Sequence, residues 1–402
     1  MKAILPKIKF KNFYEKWNIK KLQSIAPLRG GFAFKSEKFQ NVGIPIVRIS
    51  NIGFDGTVGG EFEYYSKLSP DEKFVLKGRS LLLAMSGATT GKIAMLDSEE
   101  EYYQNQRVGY FQNNGAVDYD FLSSVLQTKA FTNQLNAVLV AGAQPNISSK
   151  EIDSFEFCIP ESIEEQSAIG SLFRTLDDLL ASYKDNLANY QSLKATMLSK
   201  MFPKAGQTVP EIRLDGFEGE WEKLKLRDVV HTNPKSELPE NFKYIDLESV
   251  VGTRINKIRE ERKTSAPSRA QRLAKKGDVF YQTVRPYQKN NYLFKLDEID
   301  YVFSTGYAQL RPIFNRCDSD FLLILLQNNR FLSNVLDRCT GTSYPAINVN
   351  DLIEILIAIP SYEEQQAIGA YFSNLDSLIS AHQEKISQLE TLKKKLVQDM
   401  FI

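Results

Sequence analysis

The stretch IEEQSAIGSLFRTLDDLL, residues 163–180, returns 199 positions later as YEEQQAIGAYFSNLDSLI, residues 362–379, with ten of the eighteen positions identical. A second echo joins LPKIKFKNFYEKWNIKKL (5–22) to VPEIRLDGFEGEWEKLKL (209–226) at a shift of 204, and these two segments hold both tryptophans of the chain, Trp17 and Trp221. Each copy also closes on the same dipeptide, Met201-Phe202 and Met400-Phe401. Self-similarity on this scale marks a repeat architecture and decides the fold before any local reading. Matched ends around divergent middles describe a tandem duplication whose frame keeps one task while its contents differ.

From Ile169 the apolar or long-stemmed positions run Ile169, Phe173, Leu176, Leu180, Tyr183, Leu187, Tyr190, Lys194, Met197 and Met201. The second copy gives Ile368, Phe372, Leu375, Ile379, His382, Ile386, Leu389, Lys393, Leu396 and Met400 in the same register. Steps of four and three average 3.5 residues, the period of a coiled-coil seam. One such stripe is ordinary helix packing as often as not, whereas two in register predict pairing with each other. From Glu164 to Phe202 each helix would be about 58 Å long at 1.5 Å per residue.

The middles read differently. IPIVRIS (44–50), SLLLAM (80–85), VGYF (108–111), DVFYQTV (278–284) and YAQL (307–310) are short β-rich runs between Gly, Asn, Asp and Ser clusters, which predicts sheets with tight turns. One helix is expected after each set, at 121–135 and at 321–336. Lys-Gly-Arg at 77–79 and Lys-Gly-Asp at 276–278 open corresponding strands at the same shift of 199. The expected architecture is α+β: a tandem duplication of an α/β domain, each copy followed by a long helix, the two helices forming an antiparallel coiled coil. Expected boundaries are 1–160 for the first domain, 161–204 for the first helix, 205–360 for the second domain and 361–402 for the second helix.

A chain of 402 residues with 43% hydrophobic content has room for two or three packed domains. Neither a secretory leader nor an apolar run of about 18 residues is present, so a soluble cytoplasmic protein is expected. Three cysteines without a CxxC pair, Cys158, Cys317 and Cys339, point to reduced thiols rather than a disulfide frame or a zinc site. Fifty basic against 49 acidic residues leave +1 overall, so a surface for a polyanion must be local.

Motifs for catalysis are missing. SGATTGKIAM (86–95) is one residue too short for a phosphate-binding loop and has Ile93 where the magnesium-binding hydroxyl belongs. It reads as a loop between strands with a lysine at its exit. His231 and His382 belong to no metal or catalytic array and read as structural. No GxSxG or dinucleotide fingerprint occurs, and Asn233-Pro234 is followed by lysine rather than by the Pro-aromatic pair of an adenine methyltransferase.

What remains is basic and polar chemistry on loops. RINKIREERKTSAPSRAQRLAKK (254–276) carries nine Lys/Arg against two Glu, a local +7, and leads into YQTVRPYQKNNY (281–292). Arginine reads guanine, amides read adenine, and Tyr, Ser and Lys hold phosphates or stack. The candidates for DNA contact in the second copy are Lys257, Arg259, Arg262, Lys263, Gln282, Thr283, Arg285, Tyr287, Lys289, Asn290, Ser343 and Tyr344. Those in the first copy are Lys35, Arg48, Ser50, Asn51, Ser86, Lys92, Asn105, Gln106, Arg107, Gln144 and Asn146. Phosphate contacts are expected of Lys257, Arg259, Arg262 and Lys263.

With WNIKKLQSIAPLRGGFAFKSEKF, IPIVRISNI, the Lys-Gly-x strand opener, AGAQPNISSKEIDSFEFCIPESIEEQSAI and GTSYPAINVNDLIEILIAIPSYEEQQAI, the chain resembles, over essentially its whole length, the specificity subunits of Type I restriction-modification systems. The resemblance implies two target recognition domains, each reading half of a split site in double-stranded DNA. It further implies long helices that hold them apart and dock two methylation subunits, with restriction subunits joining for cleavage. S-adenosylmethionine, ATP and magnesium are then expected on the partners and no cofactor on this chain. The second copy departs from the first at 232–275, where GGFAFKSEKF has no counterpart. Two other readings stay open at this point: the recognition chain of a system with a fused methyltransferase-nuclease partner, and a coiled-coil scaffold with no role on DNA.

If the helices set the unread gap of a split site, inserting one heptad into both, beside Lys194 and Lys393, lengthens each by about 10 Å, or roughly three base pairs at 3.4 Å each. Selection from a randomised library should then recover the same half-sites with a longer gap. Recovery of the original gap contradicts the spacer.

Overall fold

The computed structural model describes residues 6–141, 146–341 and 343–401. The chain divides into two units, Met1–Lys184 with Glu384–Ile402, and Asp185–Gln383. Each of them therefore contains part of both long helices.

In unit one, two four-stranded sheets carry the domain. Their spatial orders are Leu28–Gly30, Val108–Phe111, Ser80–Ala84, Ile93–Leu96 and Glu63–Tyr65, Ile44–Val47, Tyr102–Gln104, Val75–Leu76. Unit two repeats both orders with Val230–Thr232, Tyr307–Pro312, Val279–Gln282, Tyr292–Leu293 and Arg259–Arg262, Asn241–Ile245, Tyr301–Ser304, Ala270–Leu273. Even a parallel strand pairing recurs, Ile44–Val47 with Tyr102–Gln104 and Asn241–Ile245 with Tyr301–Ser304. The duplication thus runs through the divergent middles. The Lys-Gly-x openers match as well: Gly78 and Gly277 take φ of +64° and +92°, a turn that favours glycine, directly before the strands.

The single helices expected at 121–135 and 321–336 are each two helices, Tyr119–Val125 with Lys129–Ala141, and Ser319–Gln327 with Asn329–Leu336. Asn328 makes the second break, since its side chain accepts from the Arg330 N–H at 2.9 Å, an N-cap that starts a new helix. At the first break the Thr128 hydroxyl donates to the Val125 carbonyl at 2.7 Å. Apolar periodicity continues across both breaks, which is why the pattern reads as unbroken.

The long helices span Ile163–Lys200 and Tyr362–Met400. Their first turns show why Glu-Glu-Gln is repeated. Glu165 is 1% exposed, accepts from Trp17 Nε1 at 3.2 Å and lies 3.5 Å from Lys9 Nζ. Glu364, also 1% exposed, is clamped by the Arg213 guanidinium at 2.8 and 2.6 Å. Gln166 accepts from Asp118 N–H at 2.9 Å and donates to the Pro160 carbonyl at 2.9 Å. Gln365 does the same with Asp318 and Pro360, both at 3.0 Å. Asp118 and Asp318 in turn cap the next helices through the Phe121 and Phe321 N–H groups.

Within unit one, Leu176, Leu180 and Tyr183 share a core with Ile386, Leu389 and Leu396. Within unit two, Leu375 shares one with Tyr190 and Met197. Asp177 meets Lys393 while Lys184, further along the first helix, meets Glu390, earlier on the second, so the seam is antiparallel. Each seam lysine is paired: Lys393 with Asp177 in unit one and Lys194 with Asp376 in unit two, both at 2.5 Å. His382 meets Tyr190 edge-to-face with centroids 5.1 Å apart, a structural placement. The Met-Phe endings plug the frames. Phe401 lies 6.4 Å from Trp17 and 5.7 Å from Phe121, while Phe202 lies 5.8 Å from both Trp221 and Phe321.

Arg213→Met leaves Glu364 buried and unpaired, which costs about 3 kcal/mol or more. Chemical denaturation should show unit two losing that stability. Lys9→Met should cost less, because Trp17 still donates to Glu165.

Candidate DNA interface

Four copy-one stretches, far apart in sequence, converge because backbone bonds stitch them together. Asn105 N–H donates to the Val47 carbonyl at 3.1 Å, Met85 N–H to Arg107 at 2.9 Å, and Ile147 N–H to Met85 at 3.0 Å. Ser86 bridges Asn146, and a Cβ on Gly87 would lie 3.5 Å from the Ile49 side chain. So 48–53, 86–92, 104–107 and Asn146 form one edge of unit one. Ser50, Gln106, Arg107 and Asn146 are exposed there, with Arg48, Lys92 and Asn105 half-buried. Arg48 stands 3.5 Å from Glu63. Lys35 is exposed three residues beyond Phe32, whose N–H and carbonyl bond to Gln104 and Gln106 at 2.8 and 2.9 Å.

Unit two builds the same edge from different residues. Ile347 N–H donates to Thr283 at 3.0 Å, Thr283 N–H to Gly306 at 3.0 Å, and Arg285 N–H to Pro345 at 2.7 Å. Arg285 has φ of +55°, an uncommon conformation for a bulky residue, and one of a kind that clusters at functional sites. Its guanidinium lies 4.3 Å from the Tyr344 ring centroid. Ser343, Tyr344 and Tyr287 are exposed beside it in sequence or contact.

Several candidates spend their polar groups inside the protein. Asn51 is 2% exposed; its amide donates to the Gly59 and Glu61 carbonyls at 3.0 and 2.9 Å and its oxygen accepts from Arg48 N–H. Gln282 is 1% exposed and donates to Val284 and Gln288 at 2.7 and 2.8 Å. Thr283 donates to Gly306 at 2.8 Å. Ser86 is 7% exposed. Lys289 donates to the Gln327 carbonyl and Asn329 at 2.8 and 2.5 Å, and burial pushes its ammonium below the usual lysine range. Asn290 accepts from Gly252 N–H at 2.8 Å. These residues shape the loops on which others stand. Gln144 lies outside the described residues.

The basic run 254–276 is not one patch. Arg259 pairs in register with Tyr244, and Arg262 with Asn241, while Ile245 at the other end of that strand meets Phe303, close in sequence to Gly306 on the unit-two edge. Arg262 is three residues further from the edge than Arg259, about 10 Å at 3.3 Å per residue. Lys263 follows it, with its N–H on Glu240. Arg259 is partly neutralised by Asp246 at 3.0 Å. Lys257 is exposed, close in sequence to the hairpin of Val250–Val251 and Arg254–Ile255.

The three thiols are free, and burial pushes each upward, Cys317 to about 12. Among the described residues there is no group of three or more His, Cys, Asp or Glu able to hold a metal ion, and no helix long and apolar enough to cross a membrane. Phe54 escaped the sequence reading. A phenylalanine after Ile-Gly looks like core, and only its 91% exposure at a turn shows otherwise.

Comparison with known proteins gives a consistent picture. The family model described as Type I restriction modification DNA specificity domain matches residues 14–189 and again 218–391. The chain is 24% identical over 350 residues to the Type I restriction enzyme MjaVIII specificity subunit of Methanocaldococcus jannaschii, covering 81% of this chain and 79% of that one. It is 22% identical over 411 residues to the putative MjaX specificity subunit of the same organism, covering 95% and 92%. The crystal structure of the Type I restriction-modification S subunit from M. genitalium superposes with a TM-score of 0.63 over 99% of both chains at 16% identity, a likeness of fold.

Arg285→Ala should weaken duplex binding by about 1 to 3 kcal/mol if Arg285 reads a base, and leave selection at the other half-site unchanged. Lys257→Ala should flatten the salt dependence by about one unit of slope. Arg262→Ala and Lys263→Ala should change neither. Fluorescence anisotropy across a salt series separates these outcomes.

Proposed function

We propose, from the premise that this chain belongs to the Type I restriction modification DNA specificity family, that it reads a split double-stranded DNA site, one half with each reader edge. It is a non-catalytic specificity subunit of a Type I restriction-modification system. The observation that supports a two-headed reader is the repeated fold with unlike edges. Arg48, Lys92, Asn105 and Arg107 stand on the edge of unit one, whereas Arg285, Tyr287 and Tyr344 stand on that of unit two.

Division of labour follows from the chemistry. Lysines and arginines on the edge neutralise phosphates and set orientation without reading sequence. Arg285, Arg107 and Asn105 carry donors and acceptors suited to base edges in the major groove. The buried groups of Asn51, Gln282 and Thr283 hold the loops in shape before DNA arrives, so little ordering is left to offset on binding.

The matched helices present similar residues twice, which suits two identical methylation subunits; restriction subunits complete the assembly for cleavage. S-adenosylmethionine, ATP and magnesium chemistry belongs to those partners, and the protein works in the cytoplasm where the chromosome is.

Two measurements decide the reading. The chain co-expressed with its methylation partner should bind duplexes of one bipartite sequence with steep salt dependence, and the complex should methylate that sequence. The rigorously purified chain alone should turn over no S-adenosylmethionine. Absence of salt-dependent duplex binding, or turnover by the chain alone, contradicts it.

A further inference from the structure

The turn at 53–57 is held at every point. Ile52 bridges Val58, and Gly53 N–H donates to the Thr57 carbonyl at 2.9 Å. Asp55 accepts from the Thr57 N–H and hydroxyl at 3.1 and 2.8 Å, bonds that hold its carboxyl below the usual range. Gly56, with φ of +82°, accepts from Met95 N–H at 3.0 Å. Phe54 sits in this turn, 91% exposed. Single exposed apolar residues are common, but this ring also has Lys92 Nζ 2.9 Å from its centroid.

Lys92 is the exit of loop 86–92, and unit two fastens its turn from the equivalent place. Leu82 pairs with Ala94 as Phe280 pairs with Tyr292, which makes Asn290 the counterpart of Lys92. Asn290 accepts from Gly252 N–H in its own hairpin. Both domains thus tie a hairpin turn to the reader loop, and the first places an exposed phenyl ring there.

We propose that Phe54 is an apolar reading head whose ring edge meets the 5-methyl group of a thymine in the major groove of the half-site read by unit one. Lys92 stands between the covered ring face and the phosphates. The inference rests on the DNA-reading function above and deepens it. A phenyl ring has no hydrogen-bonding group, so setting it against a polar base edge desolvates that edge without return. Thymine alone offers a methyl group in the major groove. Insertion as a wedge between base steps needs both faces of the ring, and here a cation holds one of them.

The test uses the full chain assembled with its partner subunits. Half-sites are first selected from a randomised library with wild-type protein, and each thymine is then replaced by uracil. One position in unit one's half-site should lose about fourfold in affinity (~0.8 kcal/mol, one buried methyl). Phe54→Ala should bind thymine and uracil equally there and keep wild-type selection at the other half-site. Its melting temperature should be unchanged, as expected of an exposed position. Lys92→Gln should lower the salt slope by about one while retaining the thymine preference. The proposal is overturned if no thymine is selected in that half-site, if uracil is tolerated at every position, or if Phe54→Ala still prefers thymine. Equal binding of thymine and uracil by the wild-type assembly, with a loss of DNA bending in Phe54→Ala, would overturn the methyl contact and show a wedge instead. Absence of any duplex binding by the wild-type assembly removes the DNA-reading function itself and this inference with it.

Discussion

A buried glutamate without a partner would neutralise or unfold its surroundings, so the first turn of each long helix is bound to whatever supplies that partner. Lys9 and Trp17 supply it for Glu165, and Arg213 for Glu364. The adjacent glutamine then reaches the backbone that caps the next helix. Four residues on, Gly170 and Gly369 let the helix approach so closely that a Cβ would fall 2.4 and 3.0 Å from the Phe121 and Phe321 nitrogens. Helix direction, domain frame and sheet are tied through a few side chains.

The seam ion pairs extend the same constraint. A lysine in an apolar seam costs stability and confers register. Here each meets an aspartate of the facing helix within its own unit, Lys393 with Asp177 and Lys194 with Asp376. Because the copies are offset by 199, one pairing rule is written twice and satisfied twice.

Much of this was legible in the sequence because the frame residues recur with their spacing intact. The heptad stripe, the Trp and Met-Phe matches and the Lys-Gly-x turns all found counterparts in packing. Residues with local partners were not legible. Asn51 and Gln282 have the side chains of base readers, yet their amides close turns, and the sequence does not say which bonds a loop keeps for itself. Arg262 shares a charge run with Lys257 but is carried away along a strand. Thr128 and Asn328 restart helices inside an unbroken apolar pattern. Phe54 was missed because exposure is a property of the folded turn.

The division of the chain also sets an order of events. Unit two is contiguous, 185–383, whereas unit one needs residues 384–401 to cover Trp17, Phe121 and Phe173. On a ribosome that makes about 5 to 20 residues per second, the second domain can close first and the earlier-made domain must wait for the last helix. For about 10 seconds or more, the first domain presents its unfinished apolar frame to the cell, the interval in which a chaperone or a partner's surface has most to offer it.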